Sequence, residues 1–195
     1  RRRDRPPGKF GIRGGCGRGP RDLFGGQHEL HGRGRWVEFV GRDASEPITG
    51  DLVVLAVPHT SLDEIVAARG AELAGKVVVD ITNPLNFETF DSLVAPADGS
   101  RASELAKSLP ESRVLKAFNT NFATTLVAGT VGVEPTTVLI AGDDADAKAA
   151  VASLVTGSGL LAVDAGALSR ARELESIGFL QITLAASQKV SWAGG

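Results

Sequence analysis

The 195-residue sequence contains no methionine and a single cysteine, Cys16. One cysteine cannot form an internal disulfide, and no run approaches the roughly 20 apolar residues that a membrane helix needs. There is no signal-peptide pattern, so a cytoplasmic location is expected. The formal net charge of −2 gives no reason to expect nucleic acid or an anionic membrane as a partner. Because methionine is absent, we expect the natural start to precede Arg1.

Common sequence patterns of catalytic and metal sites are missing as well. The sequence has no G-x-S-x-G, no phosphate-binding P-loop and no H-E-x-x-H. Cys16, His28 and His31 do not have the spacing of a standard metal-ligand set. We therefore expect no metal site and no catalytic side chain.

Short apolar runs that alternate with helical segments dominate the rest of the chain. The run Asp51–His59, DLVVLAVPH, is apolar without interruption, which predicts a strand buried on both faces and ended by Pro58. Further β-rich runs follow at Lys76–Asp80, Arg113–Phe118, Thr136–Ala141 and Leu160–Asp164. This alternation predicts an α/β fold with a doubly wound, mostly parallel sheet.

Capping residues and a long amphipathic stretch predict the helices between and after these strands. Ser61 with Glu64 has the pattern of a capping box, and Ser100 is placed to cap the following helix, which Pro110 ends. A stretch over 168–190, with Gly178 inside it, predicts one long C-terminal helix.

Polar residues directly follow the predicted strands, where ligands bind in open α/β sheets. The residues at these positions are Val57, Pro58 and His59, then Thr82, Asn83 and Pro84, then Asn119 and Thr120, and five of the eight are polar. Short polar side chains at these positions can hold a carboxamide or a ring edge, or they can reflect ordinary turn chemistry. His59 has no carboxylate neighbour in sequence, so it is a candidate cofactor contact or a plain loop residue.

Residues 1–36 are rich in glycine and arginine and show no helical periodicity. Three interpretations fit them: a disordered basic leader, a reading-frame error upstream of Val37, or a diverged first strand followed by a glycine turn. In the third, Gly14–Gly19 only approximates the G-x-G-x-x-G of a dinucleotide site. Cys16 or Pro20 replaces a glycine, depending on the register.

Arg42 follows the short strand VEFV, at the place where dinucleotide-binding proteins select their cofactor. An arginine there suits the 2′-phosphate of NADP by charge and forked donor geometry, whereas Asp43 would suit NAD. A solvated turn residue is the third interpretation of Arg42.

Several separated motifs together resemble one family. DLVVLAVPH, GKVVVDITNPL, VLKAFNT, IAGDDADAK and LLAVDAGALSRARELE follow each other as in the NADPH-dependent deazaflavin-coenzyme reductases, the 8-hydroxy-5-deazaflavin:NADPH oxidoreductases. The similarity runs from about Val37 to about Ala186. It implies a Rossmann-like NAD(P)-binding domain over residues 37–165, after the aberrant segment 1–36, and a small helical element over 166–195, part of which is expected to be missing.

The resemblance also implies cofactors and contacts. Hydride would pass directly between NADP(H) and the deazaflavin coenzyme F420, without a protein acid or base, in a homodimer. By position, the glycine turn falls on Gly15, Cys16, Gly17 and Arg18, and the 2′-phosphate turn on Gly41 and Arg42. The nicotinamide loops fall on His59 and Asn83, with a further contact at Ala123. The alternatives are reduction of another small substrate by NADPH, or a non-catalytic NADP-binding domain.

Overall fold

The computed structural model describes residues 46–193. The chain runs through β1 (Leu52–Leu55), α1 (Leu62–Arg69), β2 (Val77–Asp80), α2 (Arg101–Ser108), β3 (Arg113–Ala117) and α3 (Ala123–Ala128). It continues through the hairpin β4 (Thr130–Val131) and β5 (Glu134–Pro135), then β6 (Thr137–Gly142), α4 (Ala145–Gly157), β7 (Leu161–Gly166) and α5 (Ala171–Ala186). Three-residue to four-residue 3-10 turns lie at His59–Ser61, Gly70–Leu73 and Leu168–Arg170.

The main sheet has the order β1-β2-β3-β6-β7. The pairings β1–β2, β2–β3 and β6–β7 are parallel, so the predicted α/β fold with a mostly parallel sheet is confirmed. The pairing of β3 with β6 is antiparallel, with Lys116 opposite Ala141. Consequently, the carboxyl end of β3 and the amino end of β6 lie at the same edge. There the Asn121 Nδ2 donates a hydrogen bond to the Thr137 carbonyl oxygen at 2.9 Å.

Helices cover both faces of the sheet and produce two apolar clusters. Along β2, Val78 belongs to one cluster, whereas Val77 and Val79 belong to the other, because successive side chains of a strand point to opposite faces. The first cluster also contains Leu62, Leu105 and Leu168, and the second contains Leu115, Ile140, Val151 and Val155. The burial of β2 on both faces explains its unbroken apolar sequence.

The same inference was wrong for the run that starts at Asp51. Strand β1 covers only Leu52–Leu55, and the Val54 side chain is 46% exposed. Among the described strands β1 pairs only with β2, so apolar sequence alone did not predict how much of each face is covered.

The helix starts show where local sequence was and was not decisive. Ser100 caps α2 as predicted: its side chain accepts a hydrogen bond from Ser103 N at 3.0 Å, and Ser103 Oγ accepts one from Ser100 N at 3.0 Å. The capping box predicted at Ser61 is absent, because Ser61 already has helical dihedral angles in the preceding 3-10 turn. The single helix predicted over 168–190 is instead a 3-10 turn followed by α5. Within residues 46–193 no helix has the length and apolarity to cross a bilayer.

Candidate functional site

The loops that leave β1, β2 and β3 open at one edge of the sheet, because these three strands are parallel. They carry seven of the residues predicted as cofactor contacts, and an eighth, Ala123, is the first residue of α3: the seven are Val57, Pro58, His59, Thr82, Asn83, Pro84 and Asn119. The other six, Gly15, Cys16, Gly17, Arg18, Gly41 and Arg42, lie outside the described residues.

Asn83 and Asn119 are joined directly by two hydrogen bonds. Asn83 Nδ2 donates to the Asn119 carbonyl oxygen at 2.8 Å, and Asn119 Nδ2 donates to Asn83 Oδ1 at 2.9 Å. Asn119 Nδ2 also donates to the Leu174 carbonyl oxygen of α5 at 2.8 Å, so both of its amide protons are used. The loop after β2, the loop after β3 and the C-terminal helix therefore meet at this amide pair.

A residue with a strained backbone conformation, Phe118, connects β3 to Asn119. Phe118, the last residue before Asn119, has φ +63°, in the left-handed region that costs a non-glycine residue roughly 1–2 kcal/mol. Its carbonyl oxygen accepts a hydrogen bond from Asn121 N at 3.0 Å, which closes the turn. Strain of this kind tends to occur at functional sites, where the surrounding contacts hold it in place.

Gly178 allows α5 to approach Asn83 closely. A Cβ atom at Gly178 would lie 2.3 Å from Asn83 Oδ1 and 2.8 Å from its Cγ. The position therefore requires a glycine for its lack of a side chain, although glycine weakens a helix. The sequence indicated only a helix-weakening residue here, and this close contact was missed.

His59 links the loop after β1 to the loop after β2. The ring is 7% exposed, and its Nε2 lies 2.9 Å from the Leu85 carbonyl oxygen, so Nε2 carries the proton in this hydrogen bond. The imidazole also stacks on Phe87, with ring centroids 5.6 Å apart and planes 20° apart. These contacts hold the loop after β1 against the loop after β2, and within residues 46–193 no carboxylate pairs with His59.

A buried ionic cluster lies beneath the amide pair, and sequence reasoning missed it. Lys116 Nζ is 2.8 Å from Asp80 Oδ2 and 3.0 Å from Glu175 Oε1, and all three side chains are 0–1% exposed. Glu175 also accepts hydrogen bonds from the backbone N–H groups of Arg101 and Ala102, at the start of α2. The available signal was a charged residue within an apolar run, at Asp80 in KVVVD and Lys116 in RVLKAF.

A cavity of about 390 Å³ opens between the loop after β3 and α5. The polar side chains of Asn121 and Gln181 line it, together with the apolar side chains of Phe122, Pro135 and Ile177. These residues come from the loop after β3, the β4–β5 hairpin and α5. Ala123 is exposed and directly follows Phe122. A lining of this mixed kind suits a flat ring that carries a few hydrogen-bonding groups.

Two polar atoms at this edge are buried without a hydrogen-bond partner among the described residues. They are Thr82 Oγ1 and Asn121 Oδ1. Buried polar atoms are nearly always satisfied, so each of these two points to a missing partner.

A strongly shifted carboxyl group lies elsewhere, ahead of β2. The pKa of Glu72 is lowered to about 2, first by the side-chain hydrogen bond from Arg69 and then by the backbone N–H of Ile48. These contacts tie the segment before β1 to the end of the first helical region, so this carboxylate has a structural role.

Relatives of known name match most of the chain. The F420-dependent NADP reductase of Methanocaldococcus jannaschii is 31% identical over 172 residues, which cover 85% of this chain and 76% of that protein. The F420-dependent NADP reductase of Methanothermobacter thermautotrophicus is 32% identical over 173 residues, 81% of this chain and 74% of that protein. The rat metalloreductase STEAP3 is 38% identical over 106 residues, but these are 54% of this chain and only 20% of that protein.

Solved structures agree with these relatives. A crystal structure described as an F420-dependent NADP-reductase, from Arthrobacter sp. FB24, aligns with a TM-score of 0.65 at 32% identity, covering 72% of this chain and 66% of that one. No protein-family model matches the chain. Because two reductases above 30% identity are matched over about three quarters of their length, the chain belongs to the family of F420-dependent NADP reductases.

Proposed function

We propose that the protein transfers a hydride between NADP(H) and coenzyme F420, as its family membership indicates. The observation that carries the proposal is the amide pair Asn83–Asn119, which lies beyond the carboxyl ends of parallel strands. The unpartnered Thr82 Oγ1 lies in the same loop. A nicotinamide carboxamide has both donors and an acceptor, so it fits a site with unsatisfied polar atoms.

The residues divide by the part of the cofactor that they would hold. Asn83, Asn119 and Thr82 would orient the nicotinamide, while Val57, Pro58, His59, Pro84 and Ala123 complete the surroundings of that edge. From the sequence, Gly15, Cys16, Gly17 and Arg18 would bind the pyrophosphate, and Gly41 and Arg42 the 2′-phosphate. When bound, NADPH supplies the hydride, and the protein contributes orientation and the exclusion of water.

The second ring would enter the cavity between the loop after β3 and α5. This cavity adjoins Asn119 through Thr120 and Asn121, so its occupant would lie beside the nicotinamide edge. The proposal includes a domain division at residues 36/37 and 165/166. It also includes a homodimer, which the family resemblance supports, and a cytoplasmic location, as expected from the sequence.

An assay of NADPH oxidation tests the proposed reaction. We expect the absorbance of NADPH at a fixed enzyme concentration to fall only when coenzyme F420 is added. The partial similarity to a metalloreductase makes a metal chelate the natural competing acceptor. Oxidation with the chelate alone would favour that second function, and calorimetry showing no NADPH binding would contradict both.

Replacing Arg42 with alanine is expected to raise the Michaelis constant for NADPH about 10-fold to 100-fold and to leave that for NADH unchanged. A charge-assisted hydrogen bond to the 2′-phosphate contributes roughly 1.5–3 kcal/mol, which corresponds to this range. Initial rates with the two cofactors measure the effect, and Asp43→Ala is the matched control for the same turn. Equal changes for NADPH and NADH would contradict the 2′-phosphate role.

A further inference from the structure

The ammonium group of Lys116 faces three oxygen atoms inside the protein. Its Nζ lies 2.8 Å from Asp80 Oδ2, 3.0 Å from Glu175 Oε1 and 2.6 Å from the Thr82 carbonyl oxygen. Asp80, on a strand, and Thr82, in a loop, accept hydrogen bonds from the ammonium group, and Glu175, on a helix, forms an ion pair with it. The side chain is 0% exposed, so water does not compete for these contacts.

The third acceptor distinguishes this cluster from an ion pair that only supports the core. The Thr82 carbonyl oxygen belongs to the loop after β2, and Thr82 N donates to Asp80 Oδ1 at 2.8 Å. The cluster therefore holds Thr82 by both its N–H and its carbonyl. Apolar residues of similar volume often give a protein the same stability as a buried ion pair, so a gain in stability alone does not explain this cluster.

Because Thr82 is held at both its N–H and its carbonyl, the orientation of the next residue, Asn83, is restricted as well. The Asn83 carboxamide contacts Asn119 at 2.8 and 2.9 Å and lies against Gly178, where there is no space for a side chain. A rotation of the peptide bond between Thr82 and Asn83 would break these contacts. Among the described residues, no hydrogen bond joins Lys116 to the amide pair, so its effect on the pair passes through the loop.

We propose that Lys116 is a positioning residue for hydride transfer. Through the Thr82 carbonyl it sets the loop that holds the nicotinamide, and through Glu175 it ties that loop to α5. This inference rests on the proposed function. Hydride transfer requires the reacting atoms at about 3–3.5 Å, and a displacement of 1 Å can lower the rate by about 100-fold.

The test compares Lys116→Met with the wild-type chain in the NADPH–F420 assay. We expect kcat to fall about 100-fold while the Michaelis constant for NADPH stays within about threefold, because orientation is lost and the phosphate contacts are kept. With NADPH deuterated at the transferred position, the isotope effect on kcat should rise, because the chemical step becomes slower. Hydrogen exchange at the amides of Thr82 and Asn83 should become faster.

A second variant removes the risk that Lys116→Met fails to fold around two unpaired carboxylates. In Lys116→Met/Asp80→Asn/Glu175→Gln all three side chains are neutral, and the Thr82 carbonyl still loses its donor. We expect the same fall in kcat and the same increase in the rate of hydrogen exchange at Thr82. A folded variant with wild-type kcat, isotope effect and exchange would overturn the positioning role.

The outcome for the proposed function is separate. If the wild-type chain transfers no hydride, the proposed function is wrong. In that case, hydrogen exchange still tests whether Lys116 holds the loop after β2. Unchanged exchange at Thr82 and Asn83 in the variant would overturn this part of the inference, and faster exchange would support it.

Discussion

Replacing Gly178 with alanine is expected to lower the rate of NADPH oxidation by about 100-fold, because a displacement of roughly 1 Å at a reacting centre has an effect of that size. The new Cβ atom would lie 2.3 Å from Asn83 Oδ1, 2.8 Å from Cγ and 2.9 Å from Nδ2. If Asn83 rotates, its hydrogen bonds to Asn119 break, and if α5 moves, Asn119 loses its hydrogen bond to the Leu174 carbonyl oxygen. Overpacking should also lower the free energy of unfolding by about 1–3 kcal/mol.

Gly157→Ala is the matched control, because it places the same methyl group on another helix. Gly157 is the last residue of α4, and a Cβ atom there would have no atom within 4 Å. Its rate should equal that of the wild-type chain, and its stability should be unchanged or about 0.4–1 kcal/mol higher. Equal activity of Gly178→Ala and Gly157→Ala would show that the approach of α5 to Asn83 does not matter for the reaction.

Replacing Glu175 with alanine should lower the free energy of unfolding by about 3–5 kcal/mol, the range for removing one partner of a buried ion pair. The substitution removes one acceptor from Lys116 and leaves the backbone N–H groups of Arg101 and Ala102 without theirs. Urea denaturation followed by circular dichroism measures the loss. Glu175→Gln keeps an oxygen for the N–H groups and should lose less.

Glu173 provides the control on the same helix. Its side chain is exposed, so Glu173→Ala should change stability by no more than about 0.5 kcal/mol. If Glu175→Ala and Glu173→Ala had the same small effect, the buried cluster would not contribute to stability.

The sequence predicted what depends on local pattern. Alternating strands and helices indicated the fold class, and polar residues after buried strands indicated Asn83 and Asn119, which the structure brings within 2.9 Å of each other. Ser100 was predicted as a cap from its place directly before a helical stretch, and its partner Ser103 lies only three residues away. The capping box at Ser61 failed because an extra 3-10 turn precedes α1.

What could not be predicted depends on distant parts of the chain. Glu175 binds backbone groups that lie 73 and 74 positions away, and Lys116 reaches Thr82 across 34 positions. No local pattern in α5 indicates that Gly178 faces Asn83. The antiparallel direction of β6 likewise follows from the path of α3 and the β4–β5 hairpin. The glycine turn and Arg42 lie outside the described residues and stay predictions.

The reversed direction of β6 places the β4–β5 hairpin at the edge where the loops after β1, β2 and β3 open, and Val131 and Pro135 line the cavity there. The hairpin lies outside the main sheet, and its turn residue Val133 is 93% exposed. An insertion at this tip would therefore change the mouth of the cavity and leave the strands of the main sheet as they are.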